Sequence, residues 1–163
     1  MRKGSVAFIL FLAVSLIALG KEILNGRVIK VTDGDTITIL NADLKQIKIR
    51  LHGIDTPEEK QDFGTKAKQF TSALAFGKTV SVNVLNKDRY GRSVGIVFLP
   101  DGRSLNKELL KAGLAWHFKQ YDKSTEFANL ELSARTKKLG VWSMGNAIAP
   151  WEFRKMKRGK RKH

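Results

Sequence analysis

The sequence contains no cysteine, which excludes a disulfide scaffold, a thiolate metal site and a cysteine nucleophile. It also lacks a Gly-x-x-x-x-Gly-Lys phosphate-binding loop. Acidic residues are scarce, since 15 Asp and Glu stand against 30 Lys and Arg, for a formal net charge of +15. The main apolar stretch, Val6–Leu19, has 14 residues and is interrupted only by Ser15, which is short for a helix that spans a bilayer.

The composition is that of a folded domain with an excess of positive charge. Hydrophobic residues make up 42% of the 163 residues, which argues against a disordered basic tail protein, and this length suits one domain. So strong a charge predicts a polyanionic partner. By itself it leaves nucleic acid, an anionic membrane and an acidic glycan open.

The first twenty residues have the pattern of a secretory signal. Arg2 and Lys3 precede the apolar stretch, and Ala18 and Gly20 place small residues at −3 and −1 of a cut before Lys21. We therefore expect an exported protein, secreted or periplasmic. An uncleaved N-terminal membrane anchor is the alternative.

The rest of the chain divides into a domain and a tail. We assign residues 1–20 to the signal peptide, 21–150 to the folded domain and 151–163 to a basic C-terminal tail. From Arg154 onward seven of ten residues are Lys or Arg, which predicts a solvated segment.

Alternation of β-branched and polar residues predicts five short strands. Two of them flank the turn Asp33-Gly34-Asp35 within Arg27–Ile39, because Asp-Gly between β-branched runs is a strong hairpin signal. The others lie around Ile47–Leu51, Val80–Val84 and Val94–Leu99.

Helical spacing predicts three helices. The first carries Phe63, Ala67, Phe70 and Leu74, the second is capped by Ser104, and the third begins near Ser124. A helix after the third strand and helices at the end suit an α+β domain. Its expected architecture is a five-stranded OB-fold-type barrel with three α-helices.

Three aspartates are candidate ligands of a hard cation, as phosphodiester cleavage requires. Asp33 and Asp35 flank Gly34 in the first hairpin, and Asp55 ends the third strand region in Asp55-Thr56-Pro57-Glu58. The alternatives are structural: Asp33-Gly34-Asp35 is also a good turn, and acidic residues also suit the start of a helix.

Arg50 and Arg92 are candidate phosphate clamps, because a guanidinium matches the geometry of phosphate oxygens. In so basic a chain either could equally be surface charge. Arg92 has the same parity as Val94, Ile96 and Phe98, so a regular strand is expected to turn it toward the barrel interior.

Glu58 is the candidate general base or water-positioning group, and spacing alone does not distinguish it from Glu59. His52, His117 and His163 have neither metal-ligand nor triad spacing. We interpret them as surface or packing residues.

Three segments follow one another along the chain: Val31-Thr32-Asp33-Gly34-Asp35-Thr36, Ile49-Arg50-Leu51-His52-Gly53-Ile54-Asp55-Thr56-Pro57-Glu58 and Asp88-Arg89-Tyr90-Gly91-Arg92. In this order and spacing they resemble the motifs of the thermonuclease family, the staphylococcal (micrococcal) nuclease-like proteins. The similarity runs from about Gly26 to Ser143, which is nearly all of the folded chain.

The resemblance implies an OB-barrel enzyme that depends on calcium. Such an enzyme cleaves the 5′-oxygen–phosphorus bond of DNA and RNA and leaves 3′-phosphate ends. The resemblance further implies that Asp35 and Asp55 bind Ca²⁺ with the Thr56 carbonyl beside them, and that Asp33 lies near the metal through water.

The same resemblance assigns roles around the phosphate and the nucleotide. Arg50 and Arg92 would hold the phosphate, Arg92 would also stabilise the transition state, and Glu58 would be the general base. Residues expected to contact substrate are Arg89, Tyr90 and Tyr121.

The expected partners are DNA and RNA, with single-stranded or breathing duplex substrate favoured by aromatic stacking and positive charge. No protein partner is indicated, and a monomer is expected. The alternatives are a non-catalytic nucleic-acid-binding module of the same fold and a basic protein that binds membrane or wall polymers. The enzyme is favoured over the module because all the residues that the resemblance implies for catalysis and metal binding are present, namely Asp35, Arg50, Asp55, Glu58 and Arg92.

Overall fold

A computed structural model describes residues 22–160, so the predicted signal peptide and His163 lie outside the described residues. The strands are β1 (Glu22–Asp33), β2 (Thr36–Leu40), β3 (Gln46–Leu51), β4 (Ile54–Asp55), β5 (Thr79–Lys87), β6 (Ser93–Phe98) and β7 (Trp116–His117). The helices are α1 (Gly64–Ala75), α2 (Leu105–Lys111), α3 (Thr125–Thr136) and α4 (Pro150–Lys160), with a 3₁₀ turn at Gly140–Ser143.

Five strands close into a barrel in the order β1-β2-β3-β6-β5, which confirms the predicted OB-fold class. The long strand β1 closes it, because its first half pairs with β5 and its second half with β2. Strands β3 and β6 pair in parallel, and the other barrel pairs are antiparallel. The small sheet of β4 and β7 is separate from the barrel.

Helix starts follow the predicted caps. The Ser104 and Ser124 side chains accept hydrogen bonds from the backbone N–H groups of Lys107 and Phe127, at the starts of α2 and α3. The predicted number of three helices is too low, because the described residues form a fourth α-helix from Pro150. None of the helices within residues 22–160 has the length and apolar character needed to span a bilayer.

The predicted facing of β6 is wrong. The buried face of this strand carries Ser93, Gly95 and Val97, whereas Val94 and Ile96 are only half-buried. A Cβ at Gly95 would collide with the carbonyl oxygen of Asn83 on β5, so this close approach requires glycine. Because the inward residues Ser93 and Gly95 are small and not strongly hydrophobic, the hydrophobic pattern alone does not identify the buried face of β6.

Helix α4 replaces the first part of the predicted solvated tail. The Trp151 ring stacks on the Phe118 ring with centroids 5.1 Å apart and an angle of 5° between the planes. Trp151 also packs against a second hydrophobic cluster, which contains Trp116 and Val141. This aromatic anchor brings the start of α4 against the body of the protein.

Candidate active site

The turn between β1 and β2 is joined to the segment after β4 through Asp35. Asp35 is 5% exposed, and its Oδ2 accepts hydrogen bonds from the Thr56 backbone N–H at 2.8 Å and from the Thr56 hydroxyl at 3.0 Å. A Cβ at Gly34 would lie 2.8 Å from Thr56 Oγ1, so glycine is needed for the turn to approach this closely. Asp35 and Thr56, both predicted metal-site residues, are therefore in direct contact.

Arg50 connects the two predicted metal-binding carboxylates. Its Nη1 lies 2.8 Å from Asp35 Oδ2 and its Nη2 lies 3.0 Å from Asp55 Oδ1. The pairing of β2 with β3 sets Arg50 opposite Thr36, next to Asp35. A single guanidinium therefore reaches an oxygen of both acids, and these oxygens converge on one position for positive charge.

Asp55 is the most enclosed acid of the site. It is 1% exposed, and β4 pairs it with Trp116 of β7. Burial raises the pKa of Asp55 and the charge of Asp35 adds to this, while Arg154 and Arg50 act in the opposite direction. Two carboxylates buried side by side require a positive group to compensate their negative charge.

Arg154 of α4 is a residue of this site that sequence reasoning missed. Its Nη2 lies 2.7 Å from Asp55 Oδ2 and its Nη1 lies 2.7 Å from Glu58 Oε1. The prediction of a solvated tail is therefore wrong for Arg154. The available signal was Pro150-Trp151, a favourable first residue of a helix followed by a large aromatic anchor.

The structure distinguishes Glu58 from its neighbour. Glu58 points its carboxylate to Arg154 beside Asp55, whereas Glu59 is exposed. The loop that carries Glu58 is held by two backbone hydrogen bonds, from Gln61 N to Glu58 O at 2.8 Å and from Gly64 N to Gln61 O at 2.9 Å. Glu58 is the acid of this pair that lies with Asp55.

We call the group formed by Asp35, Arg50, Asp55, Glu58 and Arg154 the acid–arginine cluster. Comparison with known proteins identifies the fold that holds it. Residues 48–144 match the model of a protein family described as Staphylococcal nuclease homologue. The chain belongs to the staphylococcal nuclease family.

Individual relatives of this chain support the same family assignment. An uncharacterized endonuclease of Escherichia coli O157:H7 is 41% identical over 134 residues, covering 82% of this chain and 87% of the relative. A micrococcal nuclease of Shigella flexneri is 37% identical over 140 residues, covering 80% of each. A staphylococcal-like nuclease of Arabidopsis thaliana is 44% identical over 115 residues, covering 71% of this chain and 35% of the relative. As a member of this family the protein is a nuclease, a hydrolase.

Three further predicted residues of this nuclease lie in one loop after β5. The Arg89 Nη2 donates to the Tyr90 hydroxyl at 2.7 Å, and the guanidinium carbons of Arg89 and Arg92 lie 4.9 Å and 5.6 Å from the Tyr90 ring centroid. The Arg92 Nε pairs with Asp88 Oδ2 at 2.7 Å. This hydrogen-bonded loop presents an exposed aromatic ring flanked by two cations.

The structure does not bring Arg92 into contact with the acid–arginine cluster. Arg92 instead shares a neighbouring pocket with Asp33, Lys48 and Tyr90. In that pocket, burial and then the charge of Asp35 raise the pKa of Asp33 to about 7. Asp33, whose Oδ1 accepts from the Asp35 N–H at 3.1 Å, connects the pocket to the cluster.

Tyr121 is 64% exposed and lies edge-on to Phe118, with ring centroids 4.8 Å apart. Because Phe118 stacks on Trp151, Tyr121 belongs to the aromatic surface that anchors α4. The predicted substrate residue Tyr121 is thus close to α4, and the predicted Arg89 and Tyr90 are on the loop after β5.

The histidines belong to a separate network. His52 Nε2 and His117 Nε2 lie 3.3 Å and 2.9 Å from the two carboxylate oxygens of Asp122. His117 is buried and packs edge-on against Phe127. The interpretation of His52 and His117 as packing residues agrees with these contacts.

The donor set of the nuclease suits a hard divalent cation. Among residues 22–160, no three His, Asp or Glu side chains group closely enough to hold a metal ion by themselves. Asp35 and Asp55 are nevertheless buried carboxylates that one cationic group, Arg50, already spans. Two such carboxylates, completed by a backbone oxygen and water, fit the oxygen preference of Ca²⁺ or Mg²⁺.

Proposed function

We propose that this family member is an exported, calcium-dependent nuclease that hydrolyses DNA and RNA at the 5′-oxygen–phosphorus bond and leaves 3′-phosphate ends. The observation that carries the proposal is the bridge of Arg50 between the buried Asp35 and Asp55. An arginine fork and two buried carboxylates at one point are what a phosphate and a divalent cation need together.

Asp35, Asp55 and the Thr56 carbonyl would hold the calcium ion, with Asp33 reaching it through water. When bound, the ion would supply positive charge to a non-bridging phosphate oxygen and so stabilise the five-coordinate transition state. With few protein carboxylates, affinity in the range of about 0.1–1 mM is expected, as in extracellular calcium modules.

The protein's own side chains supply the remaining chemistry. Arg50 would exchange its carboxylate partners for phosphate oxygens, which need the same planar pair of donors. The Glu58 carboxylate would accept the proton of the attacking water. Arg92 would reach the phosphate from the neighbouring pocket and meet the charge that develops on it.

Substrate binding would use charge and stacking without base readout. The large excess of Lys and Arg over Asp and Glu attracts the phosphate backbone and makes binding strongly dependent on salt. The exposed Tyr90 and Tyr121 rings, with Arg89 over Tyr90, offer stacking surfaces for single-stranded or breathing duplex nucleic acid. The protein would act as a monomer.

Export is proposed from the N-terminal sequence alone. The apolar stretch after Arg2 and Lys3 would direct the chain out of the cytoplasm, and cleavage would leave Lys21 first. Mass spectrometry of the protein recovered outside the cytoplasm tests this, because retention of residues 1–20 would instead indicate a membrane anchor.

One experiment separates the nuclease from a non-catalytic binding module. The protein is incubated with single-stranded DNA or RNA, with calcium or with chelator, and the ends of the products are analysed. Calcium-dependent shortening with 3′-phosphate ends is expected. Full-length nucleic acid that is only shifted on a native gel would favour the binding module.

A further inference from the structure

Arg154, the second arginine of the acid–arginine cluster, comes from the C-terminal helix and not from the barrel. Its contacts with Asp55 Oδ2 and Glu58 Oε1 are both 2.7 Å long, and its Nη1 also donates to Asp55 Oδ1 at 3.3 Å. One guanidinium thus contacts both oxygens of Asp55 and one oxygen of Glu58. This geometry joins the candidate general base to a candidate metal ligand.

The ion pair with Asp55 differs from the surface pairs of this protein. In this pair the Arg154 side chain is 38% exposed and the Asp55 side chain 2%, whereas the side chains of Arg103 and Asp101 in a surface pair are 48% and 52% exposed. Water and salt screen an ion pair with a buried carboxylate much less than they screen an exposed ion pair. The Arg154–Asp55 contact is therefore screened less than the surface pairs, because its carboxylate is buried.

Helix α4 is held where Arg154 can make these contacts. At its start, Trp151 stacks on Phe118. Just before the helix, the Ile148 carbonyl accepts a hydrogen bond from Gln61 Nε2, and the Gln61 Oε1 in turn accepts from the Glu58 N–H. The segment before α4 is thereby joined to the loop that carries Glu58.

The two acids that Arg154 contacts have different uses in the proposed reaction. Arg154 lies against both oxygens of Asp55, with Nη1 3.3 Å from Oδ1 and Nη2 2.7 Å from Oδ2. A divalent cation on Asp55 would therefore compete with this guanidinium whichever of the two oxygens it took. Glu58 has no such competitor. Among the described residues, its carboxylate pairs only with Arg154.

We propose that Arg154 is a positioning residue of the active site, which holds the Glu58 carboxylate toward Asp55 and gives up Asp55 when the divalent cation binds. The inference rests on the proposed metal site and extends it. Arg154 lies beyond residues 48–144, so the match to the family model does not include it.

The first measurement is calcium binding without substrate. Calcium chloride is titrated calorimetrically into the wild-type protein and into Arg154→Ala, Arg154→Gln and Arg158→Ala. Loss of the competing charge at Asp55 is expected to tighten calcium binding about tenfold in both Arg154 variants, or about 1.4 kcal/mol. Arg158→Ala removes an equal charge from an exposed position on the same helix and is expected to change the affinity less than about twofold.

The second measurement separates positioning from binding. At saturating calcium, Arg154→Ala is expected to lower kcat about tenfold and to change KM less than about twofold, because Glu58 loses its partner. Arg154→Lys keeps the positive charge on a shorter side chain and is expected to recover part of the kcat that Arg154→Ala loses. Thermal melting of each variant verifies that it is folded.

The outcomes distinguish this inference from the proposed function. Equal calcium affinity in wild type, Arg154→Ala and Arg154→Gln would overturn the exchange at Asp55 while the metal site stands. Unchanged kcat in Arg154→Ala would overturn the positioning of Glu58. Absence of calcium binding in all the variants and in the wild type would overturn both the inference and the calcium site.

Discussion

The Thr56 hydroxyl and backbone N–H both donate to Oδ2 of Asp35, at 3.0 Å and 2.8 Å. This contact joins the first hairpin of the barrel to the end of β4 across 21 positions in the sequence. The two parts of the proposed metal site are therefore fastened to each other before any ion binds.

Thr56→Val tests this connection, because valine keeps the shape of threonine and its backbone N–H but loses the hydroxyl. A buried hydrogen bond to a charged group contributes about 1.5–3 kcal/mol, so the free energy of unfolding is expected to fall by about that amount. Urea denaturation measures it. The matched control is Thr79→Val at an exposed strand position, and an equal loss in both variants would contradict the role of the Thr56 hydroxyl.

Glu58→Gln is expected to lower nuclease turnover about 100-fold or more while the fold is retained, because the amide no longer accepts the proton of water. Initial rates on single-stranded DNA at saturating calcium measure this. Glu59→Gln changes the exposed neighbour and is expected to keep near-normal turnover. Equal rates in the two variants would show that Glu58 is not the base.

Arg92→Ala is expected to lower turnover about 100-fold or more, because the variant loses the guanidinium that would meet the developing charge. Its effect on folding is expected to be small, since its pair with Asp88 lies within one loop. Arg103→Ala, which breaks an exposed arginine–aspartate pair elsewhere, is the control. Near-normal turnover in Arg92→Ala would leave its pocket outside the reaction.

Asp122 predicts an acid-dependent part of the stability. Burial opposes ionisation of Asp122, but hydrogen bonds from Ser124 and the contact with His117 outweigh it and lower the pKa of the carboxyl. A lowered folded-state pKa stabilises the fold above the unfolded value of about 3.9, and this contribution is lost as the pH falls through the folded value.

Urea denaturation between about pH 3 and pH 7 tests Asp122→Asn. The variant is expected to be less stable than wild type at pH 7, and the difference is expected to shrink as the pH falls below about 4. A difference that stays constant across this range would mean that Asp122 acts through its shape and not through its charge.

The barrel was predictable because its inward residues are mostly large and β-branched, as in Ile37, Ile39 and Val82. The facing of β6 was not, because Ser93 and Gly95 point inward where space is short. Local pattern reports hydrophobicity and not the distance to the next strand. The correct face depends on that distance.

The residues of the candidate site also differ in whether the sequence could predict them. Asp35, Asp55 and Glu58 could be proposed from short motifs, because each motif is local. The contacts of Arg154 with Asp55 and Glu58 span 99 and 96 positions, and nothing in a run of lysines and arginines distinguishes one member. The deciding factor is the packing of Trp151 on Phe118, a tertiary contact.

The order of the elements along the chain also decides which segment each part of the site comes from. Every strand of the barrel lies before Leu99, and so do Asp35, Arg50, Asp55 and Glu58. Arg154 alone is contributed by the last helix, α4. A chain cut before Pro150 would therefore contain every barrel strand and four members of the cluster, but not the guanidinium that contacts Glu58.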